Sequence, residues 1–188
     1  MKKIVVGLTG ASGVIYGLRL IEFLLKVPTI EIHVIISDSA KEVIKEEIEP
    51  TYYKKISNKI KYLYDNNIIN TSIASGSFIF DSMVVIPCSL NTIGMIHSNI
   101  SNNLINRVIS VAKKERRRIV LMPRETPLST STLKQLFELS MEGAIIAPPM
   151  PAFYNHPDSM DDIINFTIGK ILNLLNVEQD LLIPYQPK

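Results

Sequence analysis

The amino-acid sequence predicts an α/β protein built on a doubly wound parallel sheet, with helices on both faces in a three-layer αβα arrangement. Three observations predict it. Short β-branched runs that are apolar on both faces alternate with longer segments of helical period. A Gly-rich bend, "GLTGASGVIYG", joins the first such run to the first helical segment. The chain has 188 residues, 46% of them hydrophobic, enough for a single domain over residues 1–188 that buries about 70% of its unfolded surface.

Taken in order, "KIVVGLT" (3–9) reads as the first strand, and "VIYGLRLIEFLL" (14–25) as a helix with apolar residues three and four apart. "EIHVIIS" (31–37) is the second strand. From Glu49 to Ser77 the periodicity fades, with Tyr52, Tyr53, Tyr62 and Tyr64 interspersed with Lys and Asn, and an irregular excursion is expected. "SMVVIP" (82–87) and "RIVLMP" (118–123) are strands on either side of the helical "NNLINRVISVAKKERR" (102–117). "STLKQLFELSM" (131–141) is helical and "GAIIAPP" (143–149) extended. The last helix, 159–175, carries the clearest start signal: Ser159 with Asp162 resembles a capping box, and Ile164, Ile168, Ile171 and Leu175 form one stripe. The end, "EQDLLIPYQPK", reads as a tail that packs on something. Repeated strand–helix units place the fold among flavodoxin-like and Rossmann-like sheets, where every strand-to-helix loop emerges on one edge.

Charge narrows the partners. The formal net charge is +2, from 20 Lys plus Arg against 18 Asp plus Glu, so no global field recruits nucleic acid or anionic lipid. No apolar stretch approaches the roughly 20 residues needed to span a bilayer, and the start of the chain shows no cleavable signal pattern. A cytoplasmic protein, away from membranes, is expected. Cys88 is the single cysteine and cannot form an intramolecular bridge. No Cys/His spacing of the kind zinc sites use is present, so no structural metal is expected.

With the strands parallel, "TGASG", "SDSA", "PCSLNT", "PRETPLS" and "PPMPAFYNHP" gather around one crevice. Small hydroxyl residues (Thr9, Ser12, Ser37, Ser39, Ser89, Thr92), the amide of Asn91 and helix amino termini suit a phosphate monoester. Arg124 and Glu125 add a charge pair to the rim. A triphosphate loop requires Lys and a hydroxyl residue after its last glycine, whereas Gly13 is followed by Val14 and Ile15. The dinucleotide fingerprint fails too, because the glycines fall at Gly10, Gly13 and Gly17; Asp38 is only a faint ribose signal. A mononucleotide phosphate fits better.

Other candidates have plainer readings. Cys88 follows Pro87 at a strand end and reads as a packing residue. His33 in a strand and His97 in a helix read as satisfied histidines, and His156 beside Tyr154 stays a weak candidate. The "KKERRR" run at 113–118 ends a helix, where cations offset the dipole. Within that helix Arg107 and Lys114 are seven residues apart, about two turns, and project from one side, able to face an anion together.

The motifs "GLTGASGVIYGLRL", "ASGSF", "VVIPCSLNTIGMIHS", "NNLINR", "KERRRIVLMPRETPLS" and "GAIIAPPMPAFYNHPDSMDDIINF" resemble, in order and spacing over nearly the full chain, the UbiX family of flavin prenyltransferases. The resemblance implies an enzyme that joins a dimethylallyl group from dimethylallyl phosphate to N5 and C6 of reduced FMN, making prenylated FMN for UbiD-type decarboxylases. It implies that Gly10, Ala11, Ser12, Ser37, Ser89, Leu90, Asn91, Thr92 and Arg124 hold FMN. It places Glu47, Arg107, Lys114, Glu125, Tyr154 and Lys170 around the allylic phosphate, with Ser12 and Glu125 managing protons and Tyr154 capping the phosphate pocket. Arg107, Lys114 and Lys170 of this set, with Arg124 of the FMN set, would neutralise the leaving phosphate without a metal. The family also implies closed homo-oligomers, typically dodecamers, with active sites at subunit junctions. Two departures stand out: Lys170 where some members carry Arg, and no Trp near the carboxyl terminus, where Tyr185 is the nearest aromatic. Two other readings rank below this one: an FMN-dependent cysteine decarboxylase, disfavoured by Tyr16 and "PPMPAFYNHP", and a noncatalytic flavin carrier.

Overall fold

In the computed structural model, which describes residues 1–182, strand Lys2–Leu8 (β1) enters helix Val14–Leu24 (α1) through the Gly-rich bend. Strand Ile30–Ile36 (β2), helix Asp38–Glu47 (α2) and helix Pro50–Ser57 (α3) follow, then strand Tyr62–Asp65 (β3) and a 3-10 turn at Ser72–Ala74. Strand Ser82–Cys88 (β4) leads into helices Leu90–His97 (α4) and Leu104–Lys114 (α5), and strand Arg118–Pro123 (β5) into helix Thr130–Met141 (α6). The short strand Ile145–Ile146 (β6) precedes helix Met160–Leu174 (α7). The strands are parallel, in the order β3-β2-β1-β4-β5-β6. The chain therefore starts mid-sheet, winds outward to β3, crosses back and winds out to β6. The order reverses between β1 and β4, where loops leaving in opposite directions open a crevice at the strands' carboxyl ends.

Both faces of the sheet are dry, which is why its central strands read as unbroken apolar runs. In β1 the alternation is visible: Ile4, Val6 and Leu8 join one core with residues of α1, α2 and α7, and Val5 joins the other with residues of α4, α5 and α6. Each fully buried Leu or Ile contributes about 1.5–3 kcal/mol relative to exposure. The predicted α7 stripe packs as expected, with Ile164, Ile168, Ile171 and Leu175 all buried. Its capping box is formed: Ser159 Oγ accepts from Asp162 N at 3.2 Å, and Asp162 Oδ2 accepts from Ser159 N at 2.9 Å.

Three expectations are corrected. The segment from Glu49 to Ser77 is not an irregular excursion, since it holds α3 and the edge strand β3. Tyr62 and Tyr64 are half-buried while Leu63 and Asp65 are exposed, a period of two masked because the outward Leu63 is apolar and the inward residues are tyrosines. Both rings lie against His33 of β2, with centroids at 4.6 and 5.8 Å. Helix α2 was not in the apolar-stripe reading and buries only Ala40 and Ile44, whereas the helix expected around His97 is α4. Finally, the strand expected over 143–149 contracts to Ile145–Ile146, because Pro148 and Pro149 bring no N–H to a ladder. In the tail, Leu181 packs against the α1/α7 core, while Tyr185 lies outside the described residues.

Candidate functional site

The carboxyl edge of the sheet is held together by hydrogen bonds between loops. Thr9 Oγ1 donates to Pro87 O at 2.9 Å and accepts from Ser89 N at 2.8 Å, tying the β1 and β4 loops together across the order reversal. Ser37 N donates to Leu8 O at 3.0 Å, and Arg124 N to Cys88 O at 3.3 Å. The Arg124 guanidinium reaches back to the first loop, Nε donating to Ser12 O at 3.0 Å. Gly10 makes the closeness of the first two loops possible, because a Cβ there would stand 2.4 Å from Ser39 Cβ. Gly13 turns the chain into α1 at φ 91°, a conformation that side chains disfavour.

Between these loops lies a cavity of about 220 Å³ whose wall includes the first turns of three helices. Each is capped by a side chain: Ser37 Oγ accepts from Ala40 N at 3.1 Å at the start of α2, Ser89 Oγ from Thr92 N at 3.3 Å at α4, and Asn103 Oδ1 from Asn106 N at 3.0 Å at α5. Three helix amino termini thus direct partial positive charge into one small polar space, which favours an anion. Asp38 lies on the same wall, but its carboxylate already binds Lys41 Nζ and Asn67 Nδ2, both at 2.7 Å. These two contacts hold its carboxyl below the ordinary carboxylate range.

The amino terminus of α1 is handled differently. Glu47, at the end of α2, accepts through Oε2 from Gly13 N at 2.8 Å and from Val14 N at 3.3 Å. Gly13 has no side chain to cap the helix, and a carboxylate from 34 residues away takes that role.

The structure brings together Gly10, Ala11, Ser12, Ser37, Ser89, Leu90, Asn91, Thr92 and Arg124 on one edge, with Glu47 beside the first loop. Glu125 is exposed on the rim, and its carboxylate accepts from Thr126 N at 3.0 Å. Tyr154 and Lys170 form a separate cluster around Phe166: the Tyr154 ring meets Phe166 edge-on at 6.0 Å, and Lys170 Nζ lies 5.5 Å from the Phe166 centroid. Neither of the two is on the cavity wall. Arg107 and Lys114 do share a side of α5, but within the chain they lie against residues 74–76. Arg107 Nε donates to Ala74 O at 3.2 Å, and Lys114 Nζ is 3.3 Å from Glu115 Oε1 beside Gly76.

Cys88 is fully buried, and burial pushes its thiol well above its ordinary value, consistent with packing. His33 is bonded at both ring nitrogens, to Tyr64 Oη and Glu31 Oε1, each at 2.9 Å. His97 pairs with Glu138. Sequence reasoning missed Asn66, Asn103 and Asn106, which also line the cavity. Asn66 closes it from the β3 side, accepting from Leu104 N at 2.8 Å and Ile105 N at 3.0 Å. The concentration of Asn in "DNNIIN" and "SNNLIN" was the available signal.

Fold and cavity together define a mononucleotide-binding protein of the flavoprotein class, and the family model described as Flavoprotein matches residues 1–172. The flavin prenyltransferase UbiX of Methanocaldococcus jannaschii is 46% identical over 179 residues, which cover 95% of this chain and 96% of that protein. Among solved structures, the dodecameric FMN-dependent UbiX-like decarboxylase from Escherichia coli O157:H7 superposes with a TM-score of 0.94 at 37% identity, covering 98% of this chain and 100% of that one. AnUbiX in complex with FMN and dimethylallyl pyrophosphate superposes with a TM-score of 0.93 at 35% identity, covering 100% and 98%. The chain belongs to the UbiX family of flavin prenyltransferases.

Proposed function

We propose that this chain transfers a dimethylallyl group from dimethylallyl phosphate to N5 and C6 of reduced FMN, acting in the cytoplasm as one domain and supplying prenylated FMN to a UbiD-type decarboxylase. The observation that carries the reading is the cavity at the order reversal, where three capped helix amino termini meet beside a loop tethered by Arg124. FMN binding fits this wall: hydroxyls and amides with helix dipoles suit its phosphate. Gly10, Ala11, Ser12, Ser37, Ser89, Leu90, Asn91, Thr92 and Arg124 would hold it. The reduced flavin supplies the nucleophilic ring positions.

In this reading the chain's own residues manage charge and protons. Arg107, Lys114 and Lys170 neutralise the allylic phosphate as its carbon–oxygen bond breaks, Arg107 by a bidentate fork and the lysines as point charges. Tyr154 covers that phosphate. Ser12 and Glu125 hold protons at the flavin edge, and Glu47 fixes the first loop under Ser12. Arg107 and Lys114 are turned to residues 74–76 of their own chain. They would therefore serve the cavity of another copy, in a closed homo-oligomer of the dodecameric kind known for the Escherichia coli O157:H7 relative.

The test is anaerobic incubation with reduced FMN and dimethylallyl phosphate, followed by mass spectrometry of the released flavin. A flavin heavier by one five-carbon unit is expected; an unchanged flavin with both the monophosphate and the diphosphate donor overturns the proposal.

A further inference from the structure

Among the described residues, the buried polar side-chain atoms without a hydrogen-bond partner belong to Arg19, Thr71, Ser82 and Asn106. Of these only Asn106 lines the cavity. It is 3% exposed and sits in the first turn of α5. Its backbone N–H is used by Asn103. Its side-chain Nδ2 lies 3.1 Å from Met95 Sδ and 3.4 Å from Asn102 Oδ1. Those two acceptors fix the amide's orientation, because turning it over would set its oxygen against the oxygen of Asn102. Oδ1 is thus an acceptor with nothing to accept from.

A buried carbonyl left in that state is expensive for the fold, and an aliphatic side chain at the same place would not incur the penalty. The rest of the wall is arranged for an anion, which a carbonyl oxygen repels. The group that satisfies Oδ1 must therefore be an O–H or N–H carried close to the anionic part of the same ligand. A phosphorylated polyol has this chemistry. The oxidised ring of a flavin carries one N–H donor, N3–H, at the end remote from the phosphate, and the N5–H that reduction adds lies on the central ring, farther from the phosphate than the ribityl hydroxyls. The ribityl hydroxyls lie within a few bonds of the phosphate, and the cavity of about 220 Å³ that Asn106 lines is also the one bordered by the three helix amino termini.

We infer that Asn106 is a flavin-binding residue whose carbonyl oxygen accepts a hydrogen bond from a ribityl hydroxyl of FMN; this rests on the FMN reading above. The side chain is dispensable to the apo fold and selective for the hydroxylated chain of the ligand.

The experiment compares wild type, Asn106→Leu and Asn106→Ala by calorimetric titration with FMN and with a flavin whose ribityl chain is replaced by an unhydroxylated phosphopentyl chain, alongside thermal unfolding of each apo protein. Both variants are expected to lose about 2- to 13-fold in FMN affinity, the worth of one hydrogen bond. They should bind the phosphopentyl flavin as wild type does, and apo Asn106→Leu should melt no lower than wild type. Variants that keep wild-type affinity for FMN, or that weaken on both ligands equally, overturn the inference, as does failure of both to fold. Wild type that binds neither flavin overturns the FMN reading itself, an outcome separate from any difference between the variants.

Discussion

Glu47 gives the sharpest quantitative test of how the site is built. Its carboxylate makes one short and one longer bond to the first amides of α1, at 2.8 and 3.3 Å, and no side chain of the helix's own start competes for them. Removing such a cap costs about 1 kcal/mol, and because the carboxylate is exposed, solvent screening keeps it at that level rather than above it. For a chain of 188 residues the unfolding entropy is about 0.4 kcal/mol/K, so Glu47→Ala should lower Tm by about 2–3 °C. Glu47→Gln retains a carbonyl acceptor without the charge and should fall between the two, by about 1 °C. Molar salt should narrow the gap between wild type and Glu47→Gln, since only the charge term is screened. The assay is scanning calorimetry of the apo protein at neutral pH in low and high salt. Equal Tm values for wild type and Glu47→Ala would refute the capping argument. A Glu47→Gln protein that keeps its Tm within a degree yet loses turnover would assign the residue a separate part in the chemistry.

Three other outcomes are expected. Burial holds the His33 imidazole below its ordinary value of 6.5 despite the neighbouring Glu31 carboxylate, with the Lys3 ammonium acting in the same direction as burial. Below that value the unfolded chain takes a proton the folded one refuses, so stability should fall with acidity, by up to about 1.4 kcal/mol per pH unit, until the folded value is reached. His33→Phe should remove that slope in urea titrations run from mildly acid to neutral pH. The Ser159 hydroxyl and N–H hold the Asp162 carboxyl below its ordinary 3.8, which adds stability above that value and loses it as pH falls through the folded value. Ser159→Ala should move the Asp162 titration upward, as read by NMR. Leu172 is fully buried between α7 and the sheet; Leu172→Ala should cost about 2–5 kcal/mol and lower Tm by roughly 5–15 °C.

The elements that were legible are those whose burial repeats at a fixed period. Helices α1 and α7 announce themselves because Val14, Leu18 and Ile21, or Ile164, Ile168 and Ile171, return on one face. β3 did not, because an edge strand with one covered face needs only two inward residues, and Tyr62 and Tyr64 are amphipathic enough to pass for loop residues. The site divides in the same way. Ser37 and Ser89 were legible as hydroxyl residues of the strand-to-helix loops, while their capping bonds to Ala40 N and Thr92 N became visible only with the helices. Glu47 meeting Gly13, and Asn66 meeting Leu104, are consequences of tertiary packing that no local spacing encodes. The Arg107 and Lys114 spacing correctly placed both on one side of α5, but spacing fixes only a direction about the helix axis. What that side faces was set by residues 74–76.

The Gly-rich bend, which looks made for a phosphate, has its helix terminus already neutralised by Glu47, so the field that can attract an outside anion comes from α2, α4 and α5 instead. This division suits the proposed reaction. The phosphate of FMN stays bound throughout and gains no charge, so fixed partial charges at helix ends are sufficient for it. The phosphate of the allyl donor gains a full unit of charge as it leaves, and a constant dipole stabilises that change less than whole cations at close range do. Full cations are what the chain carries on the far flank of α5 and on α7, at Arg107, Lys114 and Lys170. In the proposed reaction, their absence from the cavity wall of their own chain would keep the two phosphates from competing for one set of partners, and would make assembly with further copies a condition of turnover.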